Sequence, residues 1–278
     1  MDTTSPAAAP VPSPSPAEIA QAPESARRRP SRPGTSRLRR ALPAICAAAL
    51  TCAALLLYGV SATDLARFTA YLTLCLTLPG TLIIRATYRG ERTPAEEIAL
   101  GTALGYALEI LTYLPARAMG LPLLVLAWPT TVYTLFLAVP RLRRHFNPHP
   151  HPRTRPRTPA PAWWSWALAL TCAYLTLLSI ARFFRGHALS WPALGTASVD
   201  MPFHLALIGE LKHHLPPTVP MVNGEPLLYH WFVYTHFAAA SHITGIEPLV
   251  LLFRLGMLPM MFALIVLLAM IARRLTGS

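Results

Sequence analysis

Charged residues are scarce in this sequence. Only 13% of its 278 residues are Asp, Glu, Lys or Arg, whereas soluble domains carry about 25%. Hydrophobic residues make up 53%, and the mean hydropathy is +0.41. This balance argues against a water-soluble globular domain. Several apolar runs reach the roughly 20 residues with which a helix crosses a bilayer, and they are continuous rather than alternating, which favours helices over a β-barrel.

Cysteine and lysine are also rare. The four cysteines lie inside apolar runs and form no CxxC pair, so neither a disulfide framework nor a zinc motif is indicated. Lys212 is the only lysine, and the net charge of +12 is carried by arginines. These arginines stand in blocks between apolar runs, as in proteins whose basic loops set membrane orientation and contact anionic lipid. We therefore do not expect nucleic-acid binding. The abundance of Ala, Arg and Pro is typical of bacteria with GC-rich genomes.

The hydrophobic runs predict an all-α, polytopic membrane protein. Residues 227–246 are also apolar but contain three histidines, so six or seven spans remain open. The arginine-rich segments alternate with arginine-poor ones, which places the N-terminus in the cytoplasm of a multi-pass cell-membrane protein. The six clear spans are 41–60, 66–85, 97–115, 119–140, 163–182 and about 248–272.

The polar segments between these runs divide the chain. Residues 1–40 are rich in Pro, Ala and Arg and are predicted to be a disordered cytoplasmic tail. Residues 41–140 form a four-span front unit, and 141–162 form a cytoplasmic Pro/Arg/His linker. The back unit, 163–278, contains a loop at 183–227 that we expect outside the cytoplasm.

The most informative segment, Asp200–His230, lies largely in this outer loop. Pro202 favours the first turn of a helix, so the pattern predicts a short amphipathic helix over 201–214 along the membrane surface. Asp200 and His204 are four residues apart and share one face of it. A carboxylate beside an imidazole can act as a base, although Asp200 also suits a plain helix cap. Prolines and an Asn-Gly turn then lead back to Tyr229 and His230.

Three features inside the spans also stand out. Pro79-Gly80 predicts a break or kink in the second span, and Gly101 and Gly105 predict close helix packing in the third. Glu109 is a carboxylate within the third span, where ionisable groups are functional candidates, although it can also pair inside the bundle. No histidine spacing indicates a metal site, so a divalent cofactor has no support from the sequence.

The order D-x-x-F-H-x-A, a Pro-rich stretch, G-x-P-L-x-Y-H-W and then F-R-L resembles the first extracytoplasmic loop of the GT-C glycosyltransferases, such as the protein mannosyltransferases and the aminoarabinose transferases of lipid A. The likeness covers about residues 163–275. It implies transfer of a sugar from a polyprenyl-phosphate donor to an acceptor at the outer membrane face. It makes Asp200 the catalytic residue and His204, Tyr229, His230 and Arg254 substrate-binding residues. The family plan favours seven spans, whereas arginine counting favours six.

The sequence departs from that family in two ways. Many members carry a pair of acids where this chain has Val199-Asp200, and most have further helices behind the loop. We therefore expect a fragment or a truncated member, or a partner subunit that supplies further helices. The alternative functions are a non-catalytic membrane protein that binds lipid-linked sugar or a partner subunit, and a transporter component.

Overall fold

The structure is a computed structural model that describes residues 33–88, 92–144, 162–186, 189, 200–222 and 224–276. The chain divides into two compact units, 1–41 and 42–278. In the first unit the description starts at Pro33, where a helix begins, so the last residues of the predicted disordered tail are helical. Residues 1–32 of that tail, and all but the first few residues of the predicted linker, lie outside the described residues. The second unit contains every feature discussed below.

The described residues are mainly helical and contain no β-strand, which confirms the predicted all-α class. Each of the six predicted spans corresponds to a helix. The helices are α1 (Pro33–Leu57), α2 (Ala62–Thr87), α3 (Pro94–Ala118), α4 (Ala127–Ala138, after a 3-10 turn at Pro122–Leu126), α5 (Pro140–Arg144), α6 (Ala162–Ser179, continued by a π-helical turn at Ile180–Phe184), α7 (Asp200–His213), α8 (Phe232–Thr244) and α9 (Pro248–Leu275).

Four of these helices are long and apolar enough to cross a membrane, namely α2, α3, α6 with its π-helical turn, and α9. The apolar parts of α1 and α4 are shorter, at Ala41–Leu57 and Pro122–Ala138. Helix α3 illustrates how the sequence sets a boundary. The Thr93 hydroxyl and the Glu96 carboxylate form a capping box, and Pro94 fits the first turn because its missing N–H has no partner there anyway.

The predicted irregularity in the second span is present. Helix α2 widens into a π-helical turn at Leu72–Thr77, immediately before Pro79. Proline cannot donate a backbone hydrogen bond, and its ring crowds the carbonyl four residues earlier, at Cys75. The π-helical turn lets the helix continue past the proline, and such turns frequently occur at functional sites.

Glycines bring α2 and α3 into direct backbone contact. A methyl group added at Gly80 would lie 2.0 Å from the carbonyl oxygen of Gly101, and one added at Gly105 would lie 2.4 Å from the carbonyl oxygen of Leu76. Only glycine permits this approach, as the Gly101/Gly105 pattern predicted.

Arginine contacts identify which helix ends lie together. Arg254, near the start of α9, donates to the backbone carbonyls of Tyr58 and Phe184 at distances of 3.0 and 3.4 Å. At the other end of α9, Arg273 donates to Glu96 over 2.5 Å and Arg274 donates to the Tyr88 hydroxyl. We call these the Arg254 end and the Arg273 end of the bundle. The chain leaves the Arg254 end at Phe184 and returns to it at Pro248, so α7 and α8 lie between two points on the same end.

Candidate functional site

Helices α7 and α8 pack side by side and point in the same direction. His204 lies against Tyr234, with 5.4 Å between ring centroids. Further along, the Lys212 ammonium donates to the Ser241 hydroxyl over 2.9 Å. A helix is present at Asp200–His213, where the sequence predicted one over 201–214 along the membrane surface, and it is packed against protein. Leu207, Ile208 and Leu211 are fully buried, and apolar side chains elsewhere on the helix are half-buried.

The segment before α8 brings aromatic and imidazole rings onto the start of α7. Tyr229 and His230 stack with 4.0 Å between centroids. Tyr229 also packs edge-on against Phe203 at 5.5 Å and lies 6.4 Å from His204. The structure therefore brings together three of the predicted substrate-binding residues. We call Phe203, His204, Tyr229 and His230 the ring group.

Asp200 begins α7 one helical turn before His204, and its side chain is exposed. Among the described residues it forms no hydrogen bond or ion pair. The position fits the predicted place near the helix N-terminus, where the helix dipole favours a carboxylate. The carboxylate is accessible from solvent.

The segment between α7 and α8 is held by Glu210. Its Oε1 accepts hydrogen bonds from the backbone N–H and the hydroxyl of Thr218, at 3.0 and 2.6 Å, and its Oε2 lies 2.9 Å from Nδ1 of His214. Burial opposes the ionised form, but the hydrogen bonds from Thr218 and His214 outweigh it and lower the pKa of the Glu210 carboxyl below its usual value. Glu210 therefore anchors the strand-like return that leads to Tyr229.

This anchor predicts an acid-sensitive loop. Because the folded-state pKa of Glu210 is depressed, its stabilisation is complete above the ordinary value of 4.5 and is lost as pH falls through the lower folded-state value. Protease nicking of the 214–230 segment should therefore accelerate in that acid range. Glu210→Gln should make nicking faster at neutral pH and remove the acid dependence. The matched variant Glu225→Gln, at an exposed carboxylate in the same segment, should keep it; a Glu210→Gln protein with the unchanged acid profile would contradict the assignment.

Arg254 contacts the backbone at the ends of α1 and α6 and the ring of Phe184. Arg254 is 3% exposed. Its guanidinium donates to the carbonyls of Tyr58, Phe253 and Phe184. The guanidinium carbon also lies 4.7 Å from the centroid of the Phe184 ring. A buried guanidinium needs such partners, because an unsatisfied charge in the interior is costly. These contacts join the ends of α1, α6 and α9, and the substrate-binding role of Arg254 stays a prediction.

A second polar group lies inside the bundle. Glu109 of α3 and His236 of α8 are 1% and 0% exposed, and 2.6 Å separates the Glu109 Oε2 from the His236 Nδ1. The Tyr71 hydroxyl of α2 donates to Glu109 Oε1 and lies 3.2 Å from the same imidazole nitrogen. We call Tyr71, Glu109 and His236 the Glu109 cluster. It joins the front unit to the helix that follows the outer loop.

Two polar atoms, one in this cluster and one in a neighbouring side chain, are buried without a hydrogen-bond partner among the described residues. They are Nε2 of His236 and the hydroxyl of Tyr106. The two rings meet edge to face, with centroids 4.6 Å apart. Buried polar atoms are nearly always hydrogen-bonded in folded proteins, so two orphans in adjacent rings point to a functional role.

Sequence reasoning found Glu109 but missed Tyr71, Tyr106 and His236 as its neighbours. His236 lies in the segment whose membrane placement was left open, and 127 residues separate it from Glu109. A usable signal was present, because a carboxylate within an apolar span requires a polar partner. His236 is one of three histidines in the apolar segment 227–246, and so was an available candidate.

No family model, curated protein or solved structure matches this chain. No group of three or more His, Cys, Asp or Glu side chains with metal-binding geometry occurs in the described part of the chain. The two polar sites of the described residues are the ring group with Asp200 and the Glu109 cluster.

Proposed function

We propose that the chain is a GT-C-like membrane glycosyltransferase unit that transfers a sugar from a polyprenyl-phosphate donor to an acceptor outside the cytoplasm. The observation that carries the proposal is the ring group beside Asp200. Two segments about 25 residues apart place an accessible carboxylate, two imidazoles and a phenol on one surface. That combination provides a base, hydrogen-bond donors for phosphate and flat faces for a sugar ring.

The proposed reaction is a substitution at the anomeric carbon. The acceptor oxygen forms a bond to that carbon while the bond from the carbon to the phosphate oxygen breaks. Asp200 takes the hydroxyl proton, and the electron pair of the broken bond stays on the polyprenyl phosphate. Donors placed where this negative charge develops stabilise the transition state. His204 and His230 are suited to this task, and Tyr229 supplies a hydroxyl and a stacking face.

The membrane arrangement we propose has six spans, with the N-terminus in the cytoplasm. Both Phe184 and Pro248 belong to the Arg254 end, so the chain between them crosses the membrane an even number of times or not at all. Helix α8 then lies within the outer half of the bundle, and the Arg273 end faces the cytoplasm, in accordance with arginine counting. In the seven-span alternative, the end of α6 and the start of α9 would lie on opposite sides of the membrane, although Arg254 joins them.

Cysteine labelling tests this topology. In a cysteine-free background, Met221→Cys should react with a membrane-impermeant maleimide added to intact cells. Thr276→Cys should react only after the membrane is opened, because six spans leave it inside. Both positions are exposed in the structure. Labelling of Thr276→Cys in intact cells would support seven spans and contradict the proposed arrangement.

A transfer assay tests the enzymatic role of Asp200. Membranes containing the full chain are supplied with radiolabelled polyprenyl-phosphate mannose or polyprenyl-phosphate aminoarabinose, and label released from the lipid fraction is counted. A positioned general base contributes roughly 10²–10⁴-fold to rate, so Asp200→Asn should lower turnover by about that factor. Glu225→Gln serves as the matched control and should leave turnover unchanged.

The ring group should affect the same assay differently. Tyr229→Ala and His230→Ala should raise the donor concentration needed for half-maximal rate more than Asp200→Asn does, because they contact the donor rather than the acceptor hydroxyl. Asp200→Asn with wild-type turnover would remove Asp200 from the mechanism. Binding of donor without transfer by the wild type would favour the non-catalytic alternative.

A transporter component is the second candidate, and the Glu109 cluster favours it. Transporters place ionisable groups within their spanning helices, facing the bundle interior. Glu109 has that location, and the π-helical turn beside Tyr71 interrupts the helix next to it. Uptake assays in proteoliposomes with the same lipid-linked sugars distinguish this reading, because transport moves the intact donor whereas the transferase splits it.

A further inference from the structure

The hydrogen-bond partners in the Glu109 cluster limit the positions that a proton shared by Glu109 and His236 can take. When Glu109 is ionised, its two oxygens accept from the Tyr71 hydroxyl and from Nδ1–H of His236. The imidazole then has a bare lone pair on Nε2, which has no partner among the described residues. In this state the buried cluster carries one net negative charge, which is unfavourable in a low-dielectric interior.

Adding one proton neutralises the cluster. If the proton stays on His236, the imidazolium and the Glu109 carboxylate form an ion pair 2.6 Å apart. If it moves to Glu109, the carboxyl donates to Nδ1, and the imidazole carries its hydrogen on Nε2. Both neutral forms therefore place a hydrogen on Nε2, and the charged form lacks it. Nε2 is the atom at which the proton enters and leaves.

We propose that Glu109 and His236 form a proton-binding site within the membrane bundle, which loads and releases its proton at Nε2 of His236. Two independent observations support it: the pairing of a buried carboxylate with a buried imidazole, and the orphaned Nε2 beside the orphaned Tyr106 hydroxyl. Tyr106 is placed next to the imidazole by an edge-to-face contact, so its hydroxyl is the neighbouring polar group for a water or ligand that exchanges the proton.

The surroundings of the pair contain few other charges. Helix α2 contributes Tyr71 and Cys75, and α3 contributes Tyr106 and Tyr113, all of which interact electrostatically with Glu109. From α7, the Lys212 ammonium is bonded to Ser241, and from α9, the Arg254 guanidinium is directed to the carbonyls of Tyr58, Phe253 and Phe184. On α8 itself His242 lies near the Lys212 carbonyl, and Glu247 precedes α9.

Proton binding by Glu109 and His236 does not depend on sugar transfer. Helix α8 follows directly after Tyr229 and His230, so a proton on His236 changes the charge at a helix that supports the ring group. If the protein is a transferase, the protonation state of His236 would change how α8 positions the ring group. If it is a transporter, the proton would be coupled to movement of the substrate. The proton-binding property itself is common to both.

Nitrogen NMR on the full chain in lipid nanodiscs tests the proposal without any activity assay. The protein is labelled with ¹⁵N-histidine, and the His236 signals are identified by their absence in His236→Gln. In the wild type, the Nε2 signal should move from the position of a bare nitrogen to that of a protonated one as pH is lowered. In Glu109→Gln the pH dependence of the Nε2 signal should differ from that of the wild type, because the carboxylate partner is gone.

Matched variants separate proton binding from structural effects. His242→Gln, on the same helix but outside the cluster, should leave the His236 transition unchanged. Tyr106→Phe removes the orphaned hydroxyl and keeps the ring, and it should slow exchange of the Nε2 hydrogen with water by about tenfold or more. If Glu109→Gln does not fold, the wild-type titration alone decides. A single protonation form of Nε2 across the whole pH range of the folded protein would overturn the proposal.

Discussion

Gly105→Ala is expected to abolish stable packing of α2 against α3. The added methyl group would lie 2.4, 2.7 and 2.9 Å from three backbone atoms of Leu76, which cannot move aside as the end of a side chain can. Overpacking of a rigid interior costs about 1–3 kcal/mol and sometimes more. Because backbone atoms are the obstacle here, we expect about 3 kcal/mol or more.

The measurement is the free energy of unfolding in mixed detergent micelles, obtained by titration with sodium dodecyl sulfate. Gly209→Ala is the matched control, since it makes the same change in the middle of α7, where an added methyl group meets nothing within 4 Å. Alanine is also the better helix former, so this variant should be neutral or stabilised by about 0.4–1 kcal/mol. Equal effects of the two substitutions would show that α2 and α3 do not touch as described.

Removal of one member of the Glu109 cluster is the second large effect. Glu109→Leu leaves Nδ1 of His236 and the Tyr71 hydroxyl without their acceptor, and breaking a buried pair costs about 3–5 kcal/mol. His236→Leu leaves the carboxylate with Tyr71 alone and should cost a similar amount. The double variant replaces both polar groups by apolar ones and should cost much less than the sum.

A double-variant cycle in the same unfolding assay measures this coupling. Residues in direct contact show coupling of about 0.5–3 kcal/mol, and we expect the upper part of that range because both groups are fully buried. Glu225→Gln, at an exposed carboxylate, should change stability by less than about 0.5 kcal/mol. Additive single effects at Glu109 and His236 would mean that the two residues do not interact.

The helices were predictable from the sequence because their information is local. The lengths of the apolar runs predicted the six main helices, and Pro202 predicted the start of α7 to within a few residues. Helix α1 begins at Pro33, before the first apolar run at residue 41. Arginine and alanine are good helix formers, so the end of a polar tail can continue a helix that an apolar run begins.

The pairings between distant residues were not predictable in the same way. Glu109 stood out because a carboxylate within a span is rare, but the helical periodicity of α3 does not say which helix faces it. The motif that contains Arg254 likewise did not predict its contacts with the backbone at the ends of α1 and α6. The N–H groups of an arginine at the beginning of a spanning helix can donate to a ligand or to backbone carbonyls. The sequence does not show which of these acceptors the fold brings close.

The contacts of Arg254 also bear on the order in which the membrane bundle is assembled. Helix α9 is synthesised after α1 and α6, and its guanidinium finds the carbonyl oxygens of Tyr58 and Phe184 only when both helices are already side by side. Arg254 can therefore hold α9 to the ends of α1 and α6 only after all three helices have come together.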